Sequence, residues 1–169
     1  MKVIVISGSV GVGKEKLAEF LAKKLNYAHL DLHSHYKQIS KSYDQKKKCS
    51  VVNLNKFKAL VTKNLNKLKQ KDRPGDTQGL IIDSHIAHLL PKKMVDLCII
   101  LTCSNLKKLQ KNLEKRKYSQ QKIRENLDVE IFQVCLVEAK EQGHQLLVFD
   151  TRMKVNNKMI LKKVRRRLS

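Results

Sequence analysis

The sequence predicts an α/β fold, a doubly wound sheet of about five parallel strands flanked by helices, on three observations. Apolar runs at Val3–Ile6, Leu80–Asp83, Asp96–Leu101 and Leu146–Asp150, with a weaker fifth at Tyr27–Leu32, are continuous rather than alternating. That pattern belongs to strands covered on both faces. Amphipathic stretches at helical spacing separate the runs, which is the signature of parallel crossover units. The chain of 169 residues is 41% hydrophobic, which suits one compact domain with a sizeable core.

The first strand leads into Gly8-Ser9-Val10-Gly11-Val12-Gly13-Lys14-Glu15, a stretch holding three of the six glycines of the chain. A helix over Lys14–Leu25 follows, with Leu17, Phe20, Leu21 and Leu25 on one face. Glycines between a strand and a helix let successive backbone N–H groups and the helix N-terminus surround a phosphate. Lys14 adds a point charge near the transferred phosphoryl group. The spacing is that of a P-loop, except that Glu15 stands where a hydroxyl residue ordinarily serves Mg²⁺. A carboxylate can ligate Mg²⁺. With no metal between them, it also repels a phosphate about 4 Å away by roughly 4 kcal/mol at an effective dielectric near 20. Lys16 occupies the place of the third glycine or alanine of a dinucleotide fingerprint and so excludes it.

The polar stretch 33–52, with its Lys46-Lys47-Lys48 run, reads as an insert or lid-like flap. A helix over Leu54–Lys69 follows, with Phe57, Leu60, Val61, Leu65 and Leu68 as its stripe, and residues 72–79 read as a loop by their breakers. After the third strand comes Asp83-Ser84-His85-Ile86-Ala87-His88. An acid at the carboxyl end of such a strand is where a P-loop protein places its Mg²⁺-holding Walker B carboxylate. Acids also commonly end strands for no chemical reason. His85 is placed to orient a water or an acceptor phosphate, or to act as acid or base. A His85/His88 metal pair lacks a third ligand at sensible spacing.

Helices over Leu106–Lys115 and Ser119–Gly143 are joined by Arg116-Lys117-Tyr118-Ser119, and the long one is read with Leu127, Ile131, Val134 and Cys135 inward. Arg116 is placed to neutralise charge on a moving phosphoryl group, although by spacing alone it is one more solvated cation. A last helix covers about Val155–Leu168.

The formal charge is +21, and three segments carry it: 36–73, 92–124 and 152–169, the last with no acid at all. Clusters of this kind favour polyanions such as RNA, while a lysine-rich composition is the bland alternative. The four cysteines form no C-x-x-C pair and read as reduced thiols, with Cys98 and Cys135 on buried stripes. No apolar run approaches the roughly 18 residues of a membrane span. The N-terminal run lacks a signal-peptide cleavage pattern, so the expectation is a cytosolic protein.

The chain resembles the archaeal and nuclear-type adenylate kinases that double as ATPases in small-ribosomal-subunit maturation. The resemblance runs through Ile6–Lys14, Val51-Val52-Asn53, Asp83-Ser84-His85-Ile86-Ala87-His88-Leu89-Leu90-Pro91, Leu113–Ser119, Lys122–Asn126 and Glu130-Ile131. It implies a single P-loop nucleoside monophosphate kinase domain over 1–169, with an acceptor-binding flap at about 33–53 and a short lid at about 114–125. By position, Gly11, Gly13, Lys14, Glu15 and Lys16 would line the ATP phosphates. Asp83 and His85 would be the Walker B pair and Arg116 the lid arginine; Asp83 and, by the chemistry of its carboxylate, Glu15 are the expected Mg²⁺ ligands. The implied partners are AMP or a related monophosphate, a small-subunit ribosomal protein, and ribosomal RNA or a pre-30S particle. The chain departs from the family pattern at Glu15, Val10, Asn53, Thr102, Asn112 and Lys117. Thr102 and Asn112 stand where arginine is common, and Lys117 where glycine is usual.

Overall fold

The computed structural model describes residues 1–44, 49–70, 77–153 and 155–169. Its main sheet holds β1 (Lys2–Gly8), β2 (Tyr27–Asp31), β5 (Gly79–Asp83), β6 (Leu97–Thr102) and β7 (Leu146–Asp150), in the order β2-β5-β1-β6-β7 and all parallel. The expected doubly wound sheet is present. The continuous apolar runs form its centre: all of β5 and all of β1 after Lys2 are buried, while the edge strands β2 and β7 are only partly so. Successive side chains of β1 feed opposite faces. Ile4 and Ile6 join a core with α1 (Lys14–Leu25), α4 (Leu106–Lys115) and α7 (Asn157–Leu168). Val3 and Val5 join the other core, built with α3 (Leu54–Lys69) and α6 (Val134–Glu141).

Between β2 and α3 the chain forms a one-turn 3₁₀ segment, the short helix α2 (Tyr36–Ile39) and an antiparallel pair, β3 (Ser40–Asp44) with β4 (Cys49–Val52). The described part of the polar stretch expected as a flap is therefore a small helix and an antiparallel strand pair. Asn53 starts α3 by accepting the N–H groups of Asn55 and Lys56, an N-cap worth about 1 kcal/mol. The Lys46–Lys48 run and most of the loop expected at 72–79 lie outside the described residues.

One expectation needs correction. The stretch Ser119–Gly143 is two helices, α5 (Gln120–Ile131) and α6, because Gln133 adopts a left-handed φ of +50° between them. The break turns the Ile131 side chain, expected inward, to 53% exposure, while Cys135 stays buried. The final helix also begins later than expected, at Asn157, where the Asn156 side chain accepts the N–H groups of Lys158 and Met159. Cys98, Cys103 and Cys135 are buried free thiols, as the sequence reading expects.

Candidate active site

Because β5 and β6 flank β1 on opposite sides, the chain diverges at the carboxyl end of β1, the place where open α/β sheets bind ligands. The glycine loop and the turn after β5 both open there. Gly8 (φ +138°) lets the loop leave the strand, since a Cβ there would collide with the Leu101 carbonyl. Gly11 (φ +90°) sits against Leu109 and Leu113, and Asn112 donates to its carbonyl at 3.0 Å. Gly13 (φ +95°) is the N-cap of α1, and a Cβ there would meet nothing within 4 Å. The loop is thus backed by α4 on one side and open on the other, as a phosphate cradle requires.

Lys14, the first residue of α1, folds its ammonium back to donate to the Gly8 and Ser9 carbonyls at 2.9 and 2.8 Å. Desolvation pushes it down to about 8, against the pull of Asp83 and Glu130. Glu15 and Lys16 stand exposed on the first turn of α1. Asp83 ends β5 at 6% exposure. His29 Nε2 lies 2.6 Å from Asp83 Oδ1, and this hydrogen bond raises the imidazole above its ordinary range. His85 follows on the open side of the turn, pushed down to about 4 by desolvation first and by the Lys14 charge second. The ring is therefore neutral at physiological pH. Arg116, exposed at the C-cap of α4, is close enough that its charge also depresses Lys14.

Lys14, Asp83, His85 and Arg116 thus converge electrostatically, and Gly11 and Gly13 frame them. Glu15 and Lys16 lie on the rim. Several groups here escaped the sequence reading. His29 comes from a weak strand, and nothing local shows that β2 lies beside β5. Glu130, buried, accepts the Cys103 N–H at 2.6 Å and ties α5 to the end of β6. Tyr36 reaches the site from α2. His88 is structural: at 1% exposure it bridges Ser7 Oγ at 2.6 Å and Glu138 Oε2 at 2.7 Å.

Among the described residues, no group of three or more His, Cys, Asp and Glu side chains is placed to cage a metal. No helix there is long and apolar enough to cross a membrane.

The family model described as an AAA domain matches residues 4–133. An adenylate kinase isoenzyme 6 homolog of Schizosaccharomyces pombe is 34% identical over 149 residues, covering 87% of this chain and 79% of that protein. A Pyrococcus abyssi protein provisionally named adenylate kinase is 30% identical over 159 residues, covering 93% and 79%. Among solved structures, a Chloroflexus aurantiacus protein provisionally described as a kinase superposes with a TM-score of 0.64 at 16% identity, over 99% of this chain and 98% of that one.

Proposed function

The chain belongs to the adenylate kinase isoenzyme 6 family, as an adenylate kinase-like nucleoside monophosphate kinase, and from that premise we propose that it moves the ATP γ-phosphoryl group to AMP or a related monophosphate. The observation that carries this reading is the placement of Lys14 on the glycine loop that leaves β1 and of Asp83 and His85 at the end of the adjacent β5, where Asp83 pairs with Ile6 and the Ser84 N–H donates to the Ile6 carbonyl. In the reaction an acceptor phosphate oxygen attacks the γ-phosphorus, the bond to the β-phosphate oxygen breaks, and ADP leaves with that electron pair. Catalysis is then chiefly positioning and charge stabilisation. Backbone N–H groups of the loop and the α1 N-terminus hold the phosphates. Lys14 leaves the Gly8 and Ser9 carbonyls for the transferring phosphoryl group, and Arg116 neutralises charge that builds on it. Asp83, with Glu15 as a second carboxylate, would hold Mg²⁺, which when bound offsets the charge of the β- and γ-phosphates. We assign residues 33–53 to the acceptor flap, 114–125 to the lid, and the whole of 1–169 to one kinase domain.

The test is ADP formation from Mg·ATP with and without AMP, by the wild type and Lys14→Ala. An AMP-dependent rate that falls at least about 10³-fold in the variant is expected. ATP binding without turnover in the wild type would instead indicate a catalytically weak scaffold.

One observation supports a second role. On α7, Ile160 and Val164 are buried, while Lys158, Lys162, Lys163, Arg165, Arg166 and Arg167 are exposed with no acid among them. Arg165 donates to the Lys24 carbonyl at 3.3 Å, which sets this face beside Lys23 and Lys24 at the end of α1. Such a face fits RNA, and the family resemblance supports an ATPase acting in late small-subunit maturation in the cytoplasm, beside a small-subunit ribosomal protein. Binding to a small-subunit rRNA fragment is expected to weaken with log salt at a slope of about −4 or steeper. Replacing Lys162, Arg165 and Arg166 together with Gln should reduce that slope by about 3. An unchanged slope would sink the assignment.

A further inference from the structure

Tyr36 belongs to the short helix α2, yet its side chain reaches the turn after β5. Its hydroxyl lies 3.0 Å from His85 Nδ1 and 3.2 Å from Ser84 Oγ. Its ring meets those of His85 and His33 edge-on, with centroids 6.0 and 5.2 Å apart. Ser84 Oγ also accepts the Ile86 N–H at 3.3 Å.

The directions of these bonds are linked, because one phenol proton serves one partner. One consistent set of directions has Ser84 Oγ accept the Ile86 N–H and give its own proton to Tyr36 Oη. Tyr36 Oη, accepting from the serine, then donates to His85 Nδ1. A histidine that accepts at Nδ1 keeps its ring proton on Nε2, the nitrogen on the opposite side of the ring. The reverse order, His85 Nδ1–H to Tyr36 Oη and Tyr36 Oη–H to Ser84 Oγ, would leave the Ser84 proton with no partner among these groups, whereas this order pairs each of them and leaves His85 Nε2–H for the site.

We propose that Tyr36 is a positioning residue for phosphoryl transfer. It holds His85 as the Nε2–H tautomer, so that this N–H is a donor to a phosphate oxygen or to water at the site. The inference rests on the phosphoryl-transfer reading above and extends it. It makes the flap part of the chemistry: the hydroxyl that sets the ring comes from α2, so displacement of α2 releases the tautomer. A purely packing role would need the ring alone, which phenylalanine supplies as well.

The test compares the full-length wild type with Tyr36→Phe, using ¹⁵N NMR of the histidine rings without nucleotide, His85 being assigned by loss of its signals in His85→Asn. The expected wild-type result is a protonated Nε2 and a bare, hydrogen-bonded Nδ1. In Tyr36→Phe the Nδ1 signal should lose its hydrogen-bond shift and both tautomers should appear. The kcat with Mg·ATP and AMP should fall about tenfold, the scale usual when a group orienting a functional ring through a hydrogen bond is lost. KM for Mg·ATP should change less than about twofold, because the hydroxyl acts on the step and not on donor binding. Ser84→Ala, which removes the upstream donor, should shift the same signals in the same direction. A wild-type proton on Nδ1, or a tautomer and kcat unaltered in Tyr36→Phe, would overturn the proposal. Lack of AMP-dependent turnover in the wild type would defeat the kinase reading instead, while the NMR comparison, which needs no turnover, still decides the Tyr36–His85 link.

Discussion

At position 8 the strand must become a loop within one residue, and only glycine allows it. The backbone there has a φ of +138°, and any Cβ would enter the Leu101 carbonyl of β6. Gly8→Ala is therefore expected to destabilise the fold by about 3 kcal/mol, from strain plus displacement of β6, read as a lower urea midpoint. A loss under about 1 kcal/mol would mean that the loop adapts. The phosphate-handling residues were legible one at a time, since P-loop spacing and an acid ending an apolar strand are local signals. The pairing of His29 with Asp83 was not. It depends on β2 lying beside β5, a fact of strand order that no window around His29 contains. Tyr36 was hidden for the same reason: a tyrosine in a polar stretch shows nothing until the turn at Ser84–His85 is brought to it.

Between α4 and α5 the chain reverses through Lys117, which carries a left-handed φ of +56°. A side chain in this conformation costs about 1 kcal/mol that glycine avoids. Lys117→Gly is thus expected to raise unfolding stability by about 1 kcal/mol, because the residue is exposed and loses no contact worth more. Denaturant unfolding of the variant checks this, and a drop in stability would contradict it. Elements with a clear stripe and a cap came out of the sequence with their bounds intact, α3 above all. The break between α5 and α6 did not, because Gln133 is no helix breaker by type. Its left-handed backbone is imposed by tertiary packing that brings Glu130 onto the Cys103 N–H and Cys135 under the glycine loop.

Across the whole molecule, pH acts through histidines that enter the fold in different states. His88 lies buried between Ser7 and Glu138, and burial lowers its affinity for a proton. A group depressed in this way binds more protons when unfolded, so its contribution is present above the ordinary histidine value of about 6.5 and is lost as pH falls below it. His85, pushed down to about 4, acts in the same sense. His29, raised by its bond to Asp83, opposes them, contributing below the ordinary value and losing that contribution as pH rises. With two groups against one, the urea midpoint is expected to climb between about pH 5 and 7. A flat or falling profile would place His88 in the fold as a cation.

Helix α1 starts at the phosphate loop and runs about 18 Å down the sheet, so its end, Lys23 and Lys24, lies at the far edge with Arg165 beside it. The length of α1 thus separates the phosphate loop from the cations that Arg165 shares with Lys23 and Lys24. Docked on RNA by the α7 face, as proposed, the molecule would still present the phosphate loop to solvent. Nucleotide would then arrive, react and leave without release of the RNA proposed to dock there, so the number of turnovers per docking event would be set by how long the grip lasts.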